Sequence, residues 1–285
     1  MYTALQTVIP PAVEPVSLQA AKAHLRVDQD NDDTLISALI TSARMMIEEW
    51  SGRALISQAL TWTMSQAVPS GALPLLPLPL LVLPILLTAP QVMNKPLQLP
   101  RAPVAAVSGV VWTDTNENQF ALVAGSDYFV DTALEPARLR MTWLTIPRFL
   151  ENLQVSFIAG YGTNFATTQA QAQPGNTITF AAGAALSVLQ AGMPVSGPAI
   201  APGTTFVSAD TATGVVTLSQ ATSAAVATDA SIAFGQPVPQ PLITAILLMV
   251  AWLYEHRGDD DAASDAPPRA IDYLITPYRI GWFNA

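Results

Sequence analysis

Residues 32–51 repeat apolar side chains at helical spacing, and this pattern constrains the fold more than any other feature of the chain. In DDTLISALITSARMMIEEWS the apolar positions recur after three or four residues, which predicts an amphipathic helix with one buried face. The apolar positions are Leu35, Ile36, Leu39, Ile40, Ala43, Met46, Ile47 and Trp50. Gly52 follows at the position where a left-handed residue commonly ends a helix. We therefore expect a helix from about Asp32 to Ser51.

A shorter helix is predicted just before it. Ser17 is a suitable N-cap, and Leu18, Ala21 and Leu25 then share one helical face. The acidic stretch at 28–33 lies between the two helices. It is expected to supply the N-cap and the negative first turn of the second helix, where negative charge interacts favourably with the helix dipole.

The C-terminal region predicts another helix, at 242–257, with Pro241 at its first position. This stretch is apolar nearly all round. A bilayer-spanning helix needs roughly 20 apolar residues, so the shorter run favours a helix buried by its own domain or by other subunits. A last short helix and an aromatic tail follow.

The remaining sequence is of β type. Between 54 and 160, short runs with turn signals predict a meander of antiparallel strands. Residues 161–235 contain no Lys or Arg and are rich in Ala, Thr, Ser, Gly and Val, which indicates a separate small all-β module. We expect an α+β protein with a small helical bundle core. Residues 1–160 and 236–285 form that core, and residues 161–235 are an inserted module.

Composition excludes several classes of function. The net charge is −9, from 12 basic and 21 acidic residues, so the overall field repels nucleic acid phosphates. The chain has no Cys, which removes disulfides, thiolate metal sites and Cys nucleophiles. Only His24 and His256 could serve as imidazole bases or ligands. A hydrolase is disfavoured because no nucleophile, base and orienting group can be named.

No metal or cofactor site is predicted. Asp28, Asp30 and Asp32 resemble the start of a calcium loop, but the central Gly is missing and Leu39 stands where the loop needs Glu. A solvated, helix-capping turn is the favoured interpretation. His256 is interpreted as part of a polar C-terminal turn.

The segment LPLLPLPLLVLPILL at 73–87 contains only Leu, Ile, Val and Pro. Its four prolines exclude a membrane-spanning helix and a central strand. An extended arm with this much apolar surface needs cover, so we expect it to contact a neighbouring subunit or another partner. The expected contact residues are Leu78, Leu80, Leu81, Leu83 and Ile85.

The C-terminal aromatics allow two interpretations. Tyr273, Tyr278, Trp282 and Phe283 either pack within the chain or anchor it to a partner. Both remain open from the residues alone.

Several stretches resemble, in the same order, the head-tail connector proteins of long-tailed double-stranded DNA phages and prophages. In that family, a helix of the form L-I-x-x-L-I-x-x-A-R-x-x-(V/I)-E follows an opening P-V-(S/T)-L. The matching stretches are PVSLQAAKAHLRV at 15–27, the helix at 35–48, SGRALISQ at 51–58, VSFIAGYG at 155–162, PLITAILLMVAWLYEHR at 241–257 and LITPYR at 274–279. The inserted module departs from the family, which has a short loop there.

This resemblance implies a structural virion protein rather than an enzyme. It implies a homo-oligomeric ring, commonly of twelve subunits, that lies between the portal protein and a tail-side connector or tail terminator protein. Double-stranded DNA would pass through the lumen without sequence-specific binding. Portal contacts are expected near the C-terminus, at Tyr278, Arg279, Trp282 and Phe283.

The resemblance implies a location in the neck of a virion. Synthesis in the host cytoplasm is expected because the N-terminal residues lack a signal-peptide pattern. No membrane contact is expected. The alternative is a β-rich decoration or adhesin protein whose working part is the module at 161–235.

Overall fold

The residues that the computed structural model describes are 2–65, 96–114, 116–142, 150–171, 173–256 and 266–280. The predicted contact residues in the Pro-Leu segment lie outside these ranges, as do Trp282 and Phe283. The chain divides into two compact units. The first comprises Met1–Val8, Leu60–Pro100 and Val104–Ile158, and the second comprises Ile9–Ala59, Arg101–Pro103 and Ala159–Ala285. The sequence-based boundaries near 160 and 235 stay predictions.

The helices belong to the second unit. They are α1 (Leu18–Leu25), α2 (Asp33–Ser51), α3 (Gln240–Glu255) and α4 (Arg269–Ile275), with a 3₁₀ turn at Thr276–Tyr278. Ser17 is the N-cap of α1, and its side chain accepts a 3.2 Å hydrogen bond from the Ala20 N–H. Gly52 ends α2 with φ +70°. These helix predictions are confirmed, with bounds shifted by one or two residues where the last turns fray.

The helical core forms where the apolar face of α2 meets one face of α3. Ile36, Ile40 and Ile47 are buried in the same cluster as Ile246 and Met249. The predicted face of α2 is thus buried along its centre, whereas Leu35 at its margin is 37% exposed. Leu242, Ala245 and Val250 of α3 are buried in this cluster as well, whereas the apolar residues on its other side are half-buried in a single chain. Of the helices described, none has the length and apolar character needed to span a bilayer.

The first unit contains a five-stranded sheet with the strand order β1-β2-β8-β4-β5. Its strands are β1 (Tyr2–Ile9), β2 (Gln58–Ser65), β4 (Val104–Asp114), β5 (Gln119–Leu122) and β8 (Leu150–Ala159). A small second sheet, β3-β7-β6, consists of Leu97–Gln98, Arg138–Met141 and Tyr128–Asp131. Turns join the antiparallel pairs β4–β5 and β6–β7. The sheet is not a simple meander, because β8 returns between β2 and β4.

The β-type region at 162–235 forms two three-stranded sheets, with the orders β10-β13-β12 and β11-β14-β9. The strands are β9 (Gly162–Ala166), β10 (Thr177–Thr179), β11 (Val195–Ser196), β12 (Phe206–Asp210), β13 (Val215–Leu218) and β14 (Ser231–Gly235). Both sheets contribute to one buried cluster. Phe180 and Phe234 lie edge to face at 5.6 Å in that cluster. The region therefore has a core of its own, separate from the helical core.

Candidate interaction site

Arg53 contacts the C-terminal 3₁₀ turn at Tyr278. It follows α2 and is nearly buried, with 8% exposure. Its Nε donates a 2.6 Å hydrogen bond to the Tyr278 carbonyl, and its Nη1 donates a 2.9 Å bond to the Tyr161 hydroxyl. The guanidinium carbon lies 5.8 Å from the centroid of each of the two tyrosine rings. The predicted site residue Tyr278 is therefore held by contacts within its own chain, in a cation–π arrangement.

Arg279, the next predicted site residue, lies on the surface. Its Nη2 donates a 3.0 Å hydrogen bond to Asp272 Oδ1, and the two side chains are 46% and 61% exposed. Tyr273, which follows Asp272 on α4, is 77% exposed. We name Tyr273, Asp272 and Arg279 the C-terminal patch. An exposed ring beside an exposed ion pair can bind a partner, because a surface pair contributes little within the chain and exchanges partners readily.

A buried ionic network fixes α2 to the segments around it. Arg44 donates hydrogen bonds from Nη1 to Glu48 Oε2 at 2.7 Å and from Nε to Glu14 Oε2 at 2.8 Å. Glu48 Oε1 also accepts a 2.8 Å bond from the Leu55 N–H and a 3.2 Å bond from the Gln58 amide. Burial raises the pKa of the Glu48 carboxyl, although Arg44 and the Leu55 N–H act in the opposite direction. The network is structural, since its carboxylates are already occupied.

Lys22 of α1 forms ion pairs with the acidic stretch before α2. The Lys22 ammonium donates 2.7 Å hydrogen bonds to both Asp30 and Asp33, and the first of these holds the pKa of Asp30 below its ordinary value. Within the described residues there is no group of three or more potential metal ligands. The acidic stretch supplies Asp32 as the N-cap residue of α2 and Asp33 in its first turn, as expected, although the Asp32 side chain makes no capping hydrogen bond and accepts one from the Tyr254 hydroxyl.

The other polar residues singled out from the sequence have ordinary structural roles. His256 Nδ1 lies 2.8 Å from the Trp252 carbonyl, and the His256 ring stacks on the Trp252 ring at 5.0 Å. This contact agrees with the interpretation of His256 as part of the C-terminal turn of α3. His24 lies on the exposed side of α1.

The second unit also contains a cavity of about 330 Å³, which lies between the segment before α1 and the strands β9 and β14. Glu14 and Pro15 line one side of it, and Thr163 and Phe234 line another. The Thr163 hydroxyl is buried and has no hydrogen-bond partner within the described part of the chain. The Glu14 carboxylate already binds Arg44 and Thr41, so the cavity does not assemble a catalytic set.

We compared the chain with known protein families. Residues 15–118 match the family model described as phage gp6-like head-tail connector protein. The predicted resemblance to head-tail connectors is confirmed. We name residues 15–118 the connector segment; it contains Arg44, Glu48 and Arg53. Among curated proteins, no match to the chain was found.

Two solved structures share the α+β fold over nearly the whole chain. One is a chain from "Virion of native gene transfer agent (GTA) particle", with 15% identity, a TM-score of 0.51, and coverage of 96% of this chain and 94% of that chain. The other is a chain from "Neck of empty GTA particle computed with C6 symmetry", with 18% identity, a TM-score of 0.50, and coverage of 97% and 95%. At these identities the likeness concerns the fold, and it confirms the predicted fold class.

The arrangement around Arg53 was not predicted from the sequence. Arg53 and Tyr161 both lie in stretches that resemble the connector family, GRAL and GYG, and these motifs were the available signal. Along the chain, Arg53 is 108 positions from Tyr161 and 225 positions from Tyr278. Only the tertiary fold brings them together.

Proposed function

We propose that this chain is a structural protein of the neck of a tailed-phage-like particle. In this proposal it forms a homo-oligomeric ring between the portal protein and a tail-side connector or terminator protein. The match of the connector segment to the head-tail connector family carries the proposal. The fold shared with chains of gene transfer agent particles over almost the full length supports it. The proposal includes no enzymatic activity.

The charge of the chain suits a ring around DNA. With a net charge of −9, the ring carries a field that opposes adhesion of phosphates to its wall. Double-stranded DNA would therefore pass through the lumen without being retained and without base-specific contacts. Such a ring would continue the portal channel toward the tail.

The portal contact is proposed at the C-terminal end, where Arg279, Trp282 and Phe283 would bind and Tyr278 would set their position. Tyr278 has this positioning role because its ring and carbonyl already contact Arg53. Tyr273 joins the proposed contact because it is the most exposed large apolar side chain of the described residues. Aromatic residues with arginine are frequent anchors of protein interfaces.

A pull-down with the portal protein of the same particle tests this contact. Replacing both Tyr273 and Arg279 with Ala should weaken portal binding at least tenfold, and Trp282→Ala with Phe283→Ala should act in the same direction. A matched control is Phe129→Ala with Arg138→Ala, which removes an exposed aromatic ring and an exposed arginine from β6 and β7. If the control and the C-terminal variants bind the portal equally well, the assignment is wrong.

The Pro-Leu segment is proposed as a second contact, with a neighbouring subunit or with the tail side of the neck. Its contact residues would be Leu78, Leu80, Leu81, Leu83 and Ile85. The basis is its sequence, which combines a long apolar run with prolines that prevent a central strand.

A decoration or adhesin function of the β module at 161–235 is the second candidate. The separate buried cluster of this region favours it, because such a module can carry a surface of its own. Removing the module distinguishes the two functions, since a connector keeps its ring and portal binding without it.

A further inference from the structure

Strand β1 is an edge strand that nothing in the described structure covers. It spans eight residues, Tyr2–Ile9, at one end of the five-stranded sheet. Residues 3–8 are exposed on both faces of the strand, including Leu5 at 38% and Val8 at 59%. One long edge of this strand therefore offers unpaired N–H and C=O groups beside exposed apolar side chains.

The sequence of β1 lacks the features that usually protect an edge strand. Natural edges carry Lys, Pro or a bulge that prevents pairing with another chain. YTALQTVI contains no charge and no proline, and it is rich in the β-branched and aromatic residues that favour strands. The prolines Pro10 and Pro11 follow only after the strand has ended. Such an edge is suited to pairing with a further strand.

The opposite end of the same sheet is also open. It is formed by β5, Gln119–Leu122, which is uncharged and pairs with β4 on its inner side. Gln119, Phe120 and Ala121 are exposed on this strand, and the Phe120 ring stacks on Trp112 at 4.3 Å. Within the described residues, the sheet thus ends in two different strands, neither of which has a partner on its outer side.

We propose that β1 of one subunit pairs with the outer edge of β5 in the next copy of this chain. This inference rests on the ring of the proposed function and names the strands that form it. A contact between two different patches repeats from subunit to subunit and gives a ring when the rotation between subunits closes, whereas a contact between identical patches stops at a dimer. One molecule supplies both patches, so a second copy is the occupant that satisfies both edges at once.

Charge favours the same pairing. Copies of a chain with a net charge of −9 repel each other in general, and burying a charged side chain at their contact would add a desolvation cost. The strands β1 and β5 contain no ionisable acid or base apart from Tyr2. Pairing them joins the copies through backbone hydrogen bonds and apolar contacts without burying a charge. β-strand addition of this kind is an established mode of recognition.

Cysteine cross-linking of the full chain tests the pairing, since the natural chain has no Cys. Gln6→Cys and Ala121→Cys each introduce one thiol at an exposed position, on β1 and β5. A short bismaleimide links the thiols and tolerates a small error in the strand register.

The double variant should give a ladder of covalent multimers. A mixture of the two single variants should give covalent dimers only, and each single variant alone should give none. Gln6→Cys with Val207→Cys, which places the second thiol at an exposed position of β12, is the control and should give no ladder.

Native mass measurements on the same samples, with and without portal protein, separate this inference from the proposed function. An oligomeric wild type whose double variant gives no ladder overturns the β1–β5 pairing and leaves the ring standing. Covalent dimers from Gln6→Cys alone also overturn it, because they indicate β1–β1 pairing. A wild type that is monomeric under both conditions overturns the ring and this inference together.

As a second variant, Leu5→Lys with Val8→Lys should shift the oligomer toward monomer with an unchanged circular dichroism spectrum. An unchanged oligomer would contradict the pairing.

Discussion

Arg44 Nη1 donates a 2.7 Å hydrogen bond to Glu48 Oε2, and each of these side chains is only 8% exposed. The two residues are the ionic positions of the A-R-x-x-I-E stretch on α2. Glu14, from the segment before α1, binds the same arginine at 2.8 Å. The charged residues of this stretch therefore hold the helical core together and leave partner binding to other surfaces.

Arg44→Ala should lower the free energy of unfolding by about 3–5 kcal/mol, because it leaves the Glu48 carboxylate buried without its charge partner. Chemical denaturation followed by circular dichroism measures this change. Arg279→Ala is the matched control. It breaks the exposed pair with Asp272 and should cost less than about 1 kcal/mol. Equal losses from the two variants would contradict the structural role of the Arg44 network.

Glu48 also predicts a pH dependence. Burial raises its pKa above the ordinary 4.5, so the folded state holds this proton more tightly than the unfolded state does. Its contribution to stability is fully present below 4.5 and is lost as the pH rises through the raised folded pKa. The stability of the wild type relative to Glu48→Gln should therefore fall as the pH increases from 4 toward 8, as measured by denaturation at each pH. A difference that grows with pH would show that the pairing with Arg44 outweighs burial.

Gly160→Ala should destabilise the second unit. Gly160 has φ +136°, and a Cβ there would lie 2.4 Å from the Ser57 nitrogen. The backbone conformation alone costs a non-glycine residue about 1–3 kcal/mol, and the clash adds to this cost. Gly109→Ala on β4 is the control, since its Cβ meets nothing within 4 Å. Thermal unfolding should show a clearly lower midpoint temperature for Gly160→Ala and a nearly unchanged one for Gly109→Ala.

The β module can be removed at its two ends, because Gly162 and Gly235 are paired residues of β9 and β14. Paired residues on antiparallel strands lie about 5 Å apart, so a two-residue Asn-Gly turn can join them. A chain without residues 163–234 should keep its helical circular dichroism signal, its oligomeric mass and its portal binding. If a folded shortened chain no longer forms rings or binds portal, the module takes part in the working surface and the second candidate function gains support.

Leu80→Asp with Leu83→Asp should weaken ring assembly or tail attachment, because charges would replace apolar contacts between molecules. Circular dichroism and the unfolding midpoint should stay unchanged. Assembly is measured by sedimentation of the chain alone and with its partners. A variant that loses its fold would instead make the Pro-Leu segment part of the chain's own core.

The sequence predicted elements whose signal is local. The apolar period of residues 32–51 predicted α2, because a long helix with one buried face repeats its pattern over several turns. The absence of Lys and Arg at 161–235, with its short strands and turn residues, likewise predicted a β region that proves to have its own core.

Features that depend on distant parts of the chain were not predictable in the same way. β1 was missed, because an edge strand exposed on both faces shows no apolar alternation. The return of β8 between β2 and β4 and the contacts of Arg53 with Tyr161 and Tyr278 arise from tertiary pairing, which no local pattern encodes. The hydrogen bond that the Tyr254 hydroxyl donates to Asp32, the N-cap residue of α2, is likewise a long-range contact.

Native mass spectrometry of the wild-type chain, alone and mixed with the portal protein of its particle, decides whether this chain forms a neck ring. The proposal predicts a single closed homo-oligomer, either by itself or on the portal, and negative-stain images of the same sample should show a ring with an open lumen. A chain that stays monomeric in both samples and does not associate with portal would contradict it.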